Sequence, residues 1–222
     1  MSPTQGFTLW LTGMSGAGKT TLVDYIAARL RQVGRAVEVL DENDLADDFW
    51  GGNDDTKEER NIGVKRMGLV ANLLTRNQVA TLVASVSPYK AARDENRRLI
   101  GRFLEVYVDC PTEKLIQRDS TGRYKKALAG EIPNFVGITE PYEPPSSPEV
   151  TIRSDEETVE SGALRIFQAL LDMGNVTPDE LKVITGKRMR ASPAKKGARA
   201  RPVARAARAA RVAKPRKAKG KR

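Results

Sequence analysis

The stretch GMSGAGKTT, residues 13–21, lies between the apolar run FTLWLT (7–12) and the amphipathic run LVDYIAARLRQV (22–33). The apolar run indicates a buried strand, and the helical periodicity after the stretch indicates a helix. The three glycines between them permit positive φ angles, so the chain can turn sharply from the strand into the helix. A strand, a glycine loop and a helix in this order begin a βαβ unit, which predicts a parallel sheet with helices on its faces.

The alternation of strands and helices continues along the chain. Apolar runs predict further strands at residues 36–41, 79–86, 103–109 and 149–155. A helix is predicted to begin after Thr56, where Glu59 completes a capping box, and Ser87 followed by Pro88 predicts another helix start. Residues 120–147, rich in Gly, Pro, Lys and Glu, are too irregular for a core and are predicted to form a lid or a binding loop.

The glycine loop carries a specific motif. It fits G-x-x-x-x-G-K-[ST], and inward-pointing N–H groups, the helix dipole and a lysine would there hold a nucleoside triphosphate. The threonine hydroxyl of such a motif takes one position on Mg²⁺. No guanine-reading NKxD follows, which disfavours a GTPase. The candidate phosphate-binding residues are Gly13, Ser15, Gly16, Ala17, Gly18, Lys19, Thr20 and Thr21.

Acidic residues follow the second predicted strand, beginning with Asp41. Open parallel sheets bind ligands at the carboxyl ends of their strands, so Asp41 is expected beside the phosphates. Its carboxylate could orient an acceptor hydroxyl or, with Thr20, hold Mg²⁺. The alternative is a solvated turn at the end of a strand.

The charge of the chain is divided unevenly. The 222 residues carry a formal charge of +10, but 16 of the 38 Lys and Arg, and no Asp or Glu, fall in residues 187–222. The remaining 22 basic and 28 acidic residues give 1–186 a negative charge. We divide the chain into a P-loop domain (1–176), a short capped helix or linker (177–186) and a basic tail (187–222).

The basic tail is predicted to be disordered, because Ala, Pro and Gly replace the large side chains that a core needs. Its 16 cations favour sequence-nonspecific binding to nucleic acid, since they would displace condensed counterions. Two alternatives stay open. The tail could be solvated and aid solubility, or it could fold back on the acidic loop over residues 41–59.

Cys110 is the single cysteine, which suits a reducing compartment because no internal disulfide can form. The N-terminus lacks the features of a signal peptide, and no run approaches the ~20 apolar residues of a membrane span. The sequence therefore predicts a cytoplasmic protein without a membrane partner. A homodimer is left open, with no residue assigned to an interface.

Longer stretches resemble the adenylylsulfate (APS) kinases, which pass the γ-phosphate of ATP to the 3′-hydroxyl of adenosine 5′-phosphosulfate. FTLWLTGMSGAGKTT is similar to the family's opening, SPYKAARDENRR to its SPYR..R...R, and GRYKKALAGEIPNFVGITEPYEPPSSPEV to its lid, GLYKKARAGEI..FTGI..PYE.P..PE. The resemblance implies a P-loop NTPase-type α/β fold, ATP and Mg²⁺ as cofactors, and APS or a related nucleotide as acceptor. It also implies acceptor-binding roles for Arg60, Lys125 and Phe135, of which Phe135 can stack on adenine.

The differences from the family lie mainly after the second strand. The family carries DGD.VR where this sequence has DENDLA, so Glu42, Asn43 and Ala46 replace its glycine, its second aspartate and its acceptor-binding arginine. Gly63 replaces the asparagine of DR..NIRR. Loss of one guanidinium costs on the order of 1.5–3 kcal/mol of binding, and the added acidity at Glu42 should disfavour a polyanionic acceptor.

Two functions remain open at this point. The first is an APS-kinase-like phosphotransferase in sulfate assimilation, with Lys19, Asp41 and Ser87 as candidate catalytic residues. Ser87 matches the serine of the family's SPY, a position at which a phosphoserine intermediate could form. Because in-line transfer from ATP to a bound hydroxyl needs no such intermediate, we interpret Ser87 as a helix cap beside the site. The second is a degenerate kinase fold, or a kinase with another acceptor, that is tethered to nucleic acid by the basic tail. The lid favours the first, whereas Asn43, Ala46 and Gly63 favour the second.

Overall fold

Five strands form one parallel sheet in the computed structural model, which describes residues 5–45 and 56–192. They are β1 (Phe7–Thr12), β2 (Val37–Asp41), β3 (Ala80–Ala84), β4 (Phe103–Asp109) and β5 (Val150–Arg153). Their order in the sheet is β2-β3-β1-β4-β5. The predicted parallel sheet is confirmed, and β1 and β4 have the predicted bounds. Because β1 is central, the loop that follows it leaves the middle of the sheet's carboxyl edge.

Helices cover both faces of the sheet. They are α1 (Lys19–Gln32), α2 (Lys57–Arg76), α3 (Lys90–Ile100), α4 (Thr112–Arg118), α5 (Arg123–Leu128), α6 (Val159–Asp172) and α7 (Pro178–Thr185). Leu9 and Leu11 of β1 lie in a core shared with α1, α6 and α7, whereas Trp10 lies in a second core with α2 and α3. Successive strand residues face opposite sides, so an unbroken apolar strand signals that both faces are covered.

Two helix starts depend on capping boxes that local sequence specifies. Thr56 accepts from the N–H of Glu59, whose carboxylate in turn accepts from Thr56, as predicted. The same reciprocal pair joins Thr177 and Glu180 at the start of α7. Each box satisfies helix N–H groups that have no partner within the helix.

The interpretation of Ser87 as a helix cap is wrong. α3 begins at Lys90, and its cap residue Tyr89 makes no side-chain capping bond. The N–H of Lys90 instead donates to the carboxylate of Glu143, at 2.7 Å. The Ser87 hydroxyl accepts from the Trp10 indole N–H at 3.0 Å, so it is occupied within the core. The acceptor that caps α3 is therefore a carboxylate from a distant segment, whereas a helix is usually capped by the side-chain oxygen of its own N-cap residue.

The lid, residues 120–147, is less irregular than its composition predicted. It contains α5, and the side chains of Tyr124, Ala127 and Phe135 are buried in the larger core. The Tyr124 and Phe135 rings meet edge to face, with centroids 4.9 Å apart. The prediction that this segment contributes nothing to a core is therefore wrong. Two aromatic side chains bury a large apolar surface even in a segment that is otherwise mostly polar.

The chain continues along α6 after α7. Met189 packs against the larger core, the Gln168 amide donates to the Arg190 carbonyl, and the Ser192 N–H donates to Asp172. Three of the first six residues of the predicted basic tail, Met189, Arg190 and Ser192, thus contact the domain. The predicted disorder of 193–222, and most of the acidic loop considered as a partner for the tail, lie outside the described residues. In the described part of the chain, no helix is long and apolar enough to span a membrane.

Candidate active site

The loop between β1 and α1, residues 13–18, is here called the phosphate loop. Gly16 and Gly18 have φ of 78° and 98°, which glycine adopts without strain. A Cβ on Gly13 would lie 2.3 Å from the Val108 carbonyl oxygen, so the neighbouring β4 leaves no room for a side chain. Within residues 5–45 and 56–192, the N–H groups of Ser15, Gly16 and Gly18 donate to no other residue. They are available, with the N-terminus of α1, to bind an anion.

Lys19, the first residue of α1, places its ammonium inside the phosphate loop. Nζ donates to the carbonyl of Gly13 at 2.9 Å and to that of Met14 at 3.1 Å, and the residue is buried. Burial lowers the pKa of Lys19, while the nearby carboxylates of Glu42 and Asp41 oppose the shift. A bound phosphate would stabilise the charged form of Lys19, which burial disfavours.

Asp41 lies beside Thr20 at the end of β2. The Thr20 hydroxyl donates to Asp41 Oδ2 at 2.6 Å, and the Asn43 N–H and side-chain amide both donate to Oδ1 at 2.8 Å. Asn43, which replaces an aspartate of the family, therefore orients the buried Asp41. Thr20 and Asp41 stay predicted Mg²⁺ residues. The described residues contain no group of three or more His, Cys, Asp or Glu that could hold a metal, and Mg²⁺ in nucleotide sites commonly uses only one or two protein ligands.

Glu42 connects the ends of two strands. Its carboxylate accepts from the Ser85 hydroxyl and from the Val86 N–H, both at 2.8 Å, just beyond β3. Burial raises the pKa of Glu42, against the opposing effects of Lys19 and of these two hydrogen bonds. Through one carboxylate oxygen, Glu42 thus ties the end of β2 to the segment that follows β3.

A cavity of about 350 Å³ opens beside the phosphate loop; we call it the acceptor cavity. Its wall is built from the phosphate loop, the ends of β2 and β3, α2 and the lid. The lining includes Ser15, Glu42, Arg60, Ser87, Arg123 and Phe135. Three candidate residues that lie far apart in the sequence, Arg60, Ser87 and Phe135, are thereby brought together.

The lid is attached to both walls of the acceptor cavity. Arg60 on α2 donates to the Asn134 carbonyl at 2.7 Å, and the Tyr124 hydroxyl donates to the Ser15 carbonyl at 2.7 Å. Burial raises the pKa of Tyr124 to about 12, so its hydroxyl remains a donor at neutral pH. The lid therefore closes over the phosphate loop and holds Phe135 at the cavity.

Two candidate residues differ in their placement. Ser87 lines the cavity, although its hydroxyl already accepts from Trp10. Lys125 is exposed on α5 and does not line the cavity. The catalytic role of Ser87 and the acceptor-binding role of Lys125 stay predictions.

Sequence reasoning did not select Arg123, Tyr124 or Glu42 as site residues. Tyr124 lies in a stretch similar to the family's lid, and Arg123 replaces a leucine of that stretch. Glu42 stood out as a departure from the family. No spacing rule links any of them to the phosphate loop, because their contacts join segments that are far apart in the chain.

The phosphate loop lies at the centre of a parallel sheet and shares a wall with the acceptor cavity. This arrangement is typical of a P-loop protein that holds a nucleotide next to another small molecule. A sequence profile of the adenylylsulphate kinase family matches residues 5–153. The chain belongs to this family.

Individual relatives agree with the profile. An adenylyl-sulfate kinase of Rippkaea orientalis is 49% identical over 77% of this chain and 94% of its own length, and one of Microcystis aeruginosa is 44% identical over 78% and 95%. The solved structure of the Mycobacterium tuberculosis APS kinase in complex with AMPPNP and APS has a TM-score of 0.71 and 31% identity, and the match covers 76% of this chain and 99% of that one.

Proposed function

We propose that the protein transfers the γ-phosphate of ATP to the 3′-hydroxyl of APS, giving ADP and 3′-phosphoadenosine 5′-phosphosulfate. The observation that carries the proposal is the wall shared by the phosphate loop and the acceptor cavity, to which Ser15 belongs. A nucleotide in the cavity would lie next to the terminal phosphate. The names of the relatives, and the APS bound to the M. tuberculosis enzyme, support this choice of acceptor.

Transfer requires in-line positioning more than a strong base. The oxygen of the acceptor hydroxyl forms a bond to the γ-phosphorus, the bond from phosphorus to the β–γ bridging oxygen breaks, and ADP leaves. The hydroxyl proton leaves on a phosphate oxygen of the products and reaches solvent once they are released. Lys19 and the phosphate-loop N–H groups stabilise the charge on the phosphates, and the lid, attached through Tyr124, excludes water.

Thr20 and Asp41 fit Mg²⁺, because both offer hard oxygen ligands and their hydrogen bond places them at one point beside Lys19. When bound, the ion would neutralise charge on the β and γ phosphates. Asn43 would keep the Asp41 carboxylate oriented through its two hydrogen bonds.

The test is turnover of Mg-ATP and APS by the purified full chain, with the variant Lys19→Ala. Removal of one preorganised cation is expected to lower kcat by about 10²–10³-fold. Lys114→Ala removes an exposed lysine from α4 and should leave kcat unchanged. If ADP and phosphorylated product do not form faster with the native protein than with Lys19→Ala at any APS concentration, the proposal is overturned.

For the basic tail we propose nonspecific binding to nucleic acid. Residues 193–222 carry 13 Lys and Arg and no acid, and a chain of that composition binds phosphate backbones through counterion release. The cytoplasm remains the predicted compartment on the basis of the single cysteine, Cys110, which is buried. A homodimer remains a hypothesis without an assigned surface.

A further inference from the structure

Arg123 begins α5 and lies at the rim of the acceptor cavity, exposed yet part of its lining. Its guanidinium lies over the Phe135 ring, 5.6 Å from the centroid. Within the two described ranges this guanidinium forms no ion pair and donates no hydrogen bond to another residue. A permanent cation with five N–H donors is thus held at the cavity by an aromatic face.

The backbone that carries Arg123 is fixed on both sides. The Asp119 carboxylate accepts from the N–H groups of Thr121, at 3.1 Å, and Tyr124, at 2.7 Å. The Tyr124 hydroxyl in turn donates to Ser15 in the phosphate loop. Arg123 lies between these anchors, so the start of α5 cannot move away from the cavity without breaking them. The position of Arg123 is therefore built into the lid.

Charge is distributed unevenly around the acceptor cavity. Arg60 donates to Asn134 and Arg123 covers Phe135, so both cations lie on the lid side. Glu42 is bound at the end of β3, on the side of Lys19. An acceptor with one anionic group is therefore attracted with that group towards the lid and away from Glu42.

We propose that Arg123 and Arg60 form a two-cation subsite for the phosphosulfate group of the acceptor, with Arg123 a specificity-determining residue of this chain. The proposal rests on the proposed function, since it assumes APS as the acceptor. Arg60 and Arg123 both line the acceptor cavity, and the fork of N–H donors on each guanidinium suits two oxygens of a phosphate or a sulfate.

The test compares the full chain with Arg123→Leu, Arg123→Lys and Arg102→Leu. Arg102 is exposed just before β4, at the opposite edge of the sheet, so its replacement is a charge-matched control. Steady-state kinetics give kcat and KM, and calorimetry gives the Kd of APS in the presence of Mg-ADP. The KM and Kd of APS should rise about tenfold in Arg123→Leu, the lower range for a hydrogen bond to a charged group. The kcat and the KM of ATP should stay within about twofold, because the phosphate loop is untouched.

Two further readouts separate binding from a structural effect. Arg123→Lys should fall between the native protein and Arg123→Leu, because lysine keeps the charge and loses the fork. Raising KCl from about 50 to about 300 mM should weaken APS binding more in the native protein than in Arg123→Leu, because salt screens the exposed cation.

The outcomes distinguish the two proposals. If the native protein phosphorylates APS and Arg123→Leu has the same KM and Kd, the subsite is overturned and the proposed function stands. If the native protein neither phosphorylates nor binds APS, both proposals fail. If kcat falls or the KM of ATP rises together with the loss of affinity for APS, or the melting temperature drops in Arg123→Leu, Arg123 supports the lid rather than the acceptor and the subsite is likewise rejected.

Discussion

Glu42 shows what one substitution does within this site. It places a carboxylate near Lys19 and Asp41, in a region that must accept the charge of a triphosphate. The same carboxylate accepts from Ser85 and Val86, so it also ties the end of β2 to the segment after β3. The side chain therefore combines a structural benefit with an electrostatic cost for nucleotide binding.

These two effects can be separated with Glu42→Gln. Glutamine keeps an oxygen that can accept from Ser85 and Val86 and removes the negative charge, so the affinity for ATP should rise about three- to tenfold, the effect of one screened charge. Calorimetric titration with Mg-ATP measures it, and Glu38→Gln, exposed on β2, is the matched control. Unchanged or weaker ATP binding in Glu42→Gln would contradict the electrostatic interpretation.

Among the elements, α7 depends on a buried ion pair for its attachment. The Arg35 guanidinium donates to both carboxylate oxygens of Glu180, at 2.6 and 2.9 Å, and its side chain is 4% exposed. It also donates to the carbonyls of Gln5 and Asn175, so it joins the start of the chain to the α6–α7 connection. Removing one partner of such a pair leaves a buried charge without its counter-ion.

We expect Glu180→Gln to lower the free energy of unfolding at pH 7 by about 2–3 kcal/mol. Burial disfavours the charged form of Glu180, but hydrogen bonds from Arg35 and from the Thr177 N–H outweigh it and lower the pKa. The contribution of the charge is therefore complete above the pKa of an unfolded glutamate, about 4.3, and is lost as the pH falls through the lower pKa of the folded state.

Urea unfolding of both proteins from pH 7 to pH 3 measures this dependence. The difference in free energy should shrink below about pH 4.3. Glu160→Gln, exposed in the first turn of α6, should change stability by less than about 0.5 kcal/mol at any pH. A difference that does not vary with pH would show that Glu180 acts through its shape alone.

On the scale of the whole molecule, charge separates the domain from the basic tail. Residues 1–192 carry 25 basic and 28 acidic side chains, whereas 193–222 carry 13 basic and no acidic ones. Because Arg190 and Ser192 contact α6, a truncation should end at Ser192 rather than at the predicted boundary.

The full chain should be retained on DNA at about 50 mM salt and released steeply towards about 200 mM, whereas residues 1–192 should bind little at either concentration. Retention on duplex DNA over a salt series measures this, with APS kinase activity as the control for folding. Equal retention of both proteins would rule out the tail as a nucleic-acid anchor.

The sequence was most informative where structure depends on neighbours in the chain. The bounds of β1, the capping box at Thr56 and the glycine conformations of the phosphate loop all follow from local patterns. The cap of α3 could not be predicted, because Glu143 lies 53 residues after Lys90. Nor could the burial of Phe135, which depends on Tyr124 and the phosphate loop.

By itself, the sequence determined the parallel α/β fold and the position of the phosphate loop, because apolar periodicity, glycine and helix caps act over a few residues. Tertiary structure alone decided the composition of the acceptor cavity: it placed Arg123 rather than Lys125 in the lining and gave Glu42 its partners beyond β3. Those contacts join segments that only the complete sheet and the folded lid bring together, and no local preference of the chain encodes the distance between them.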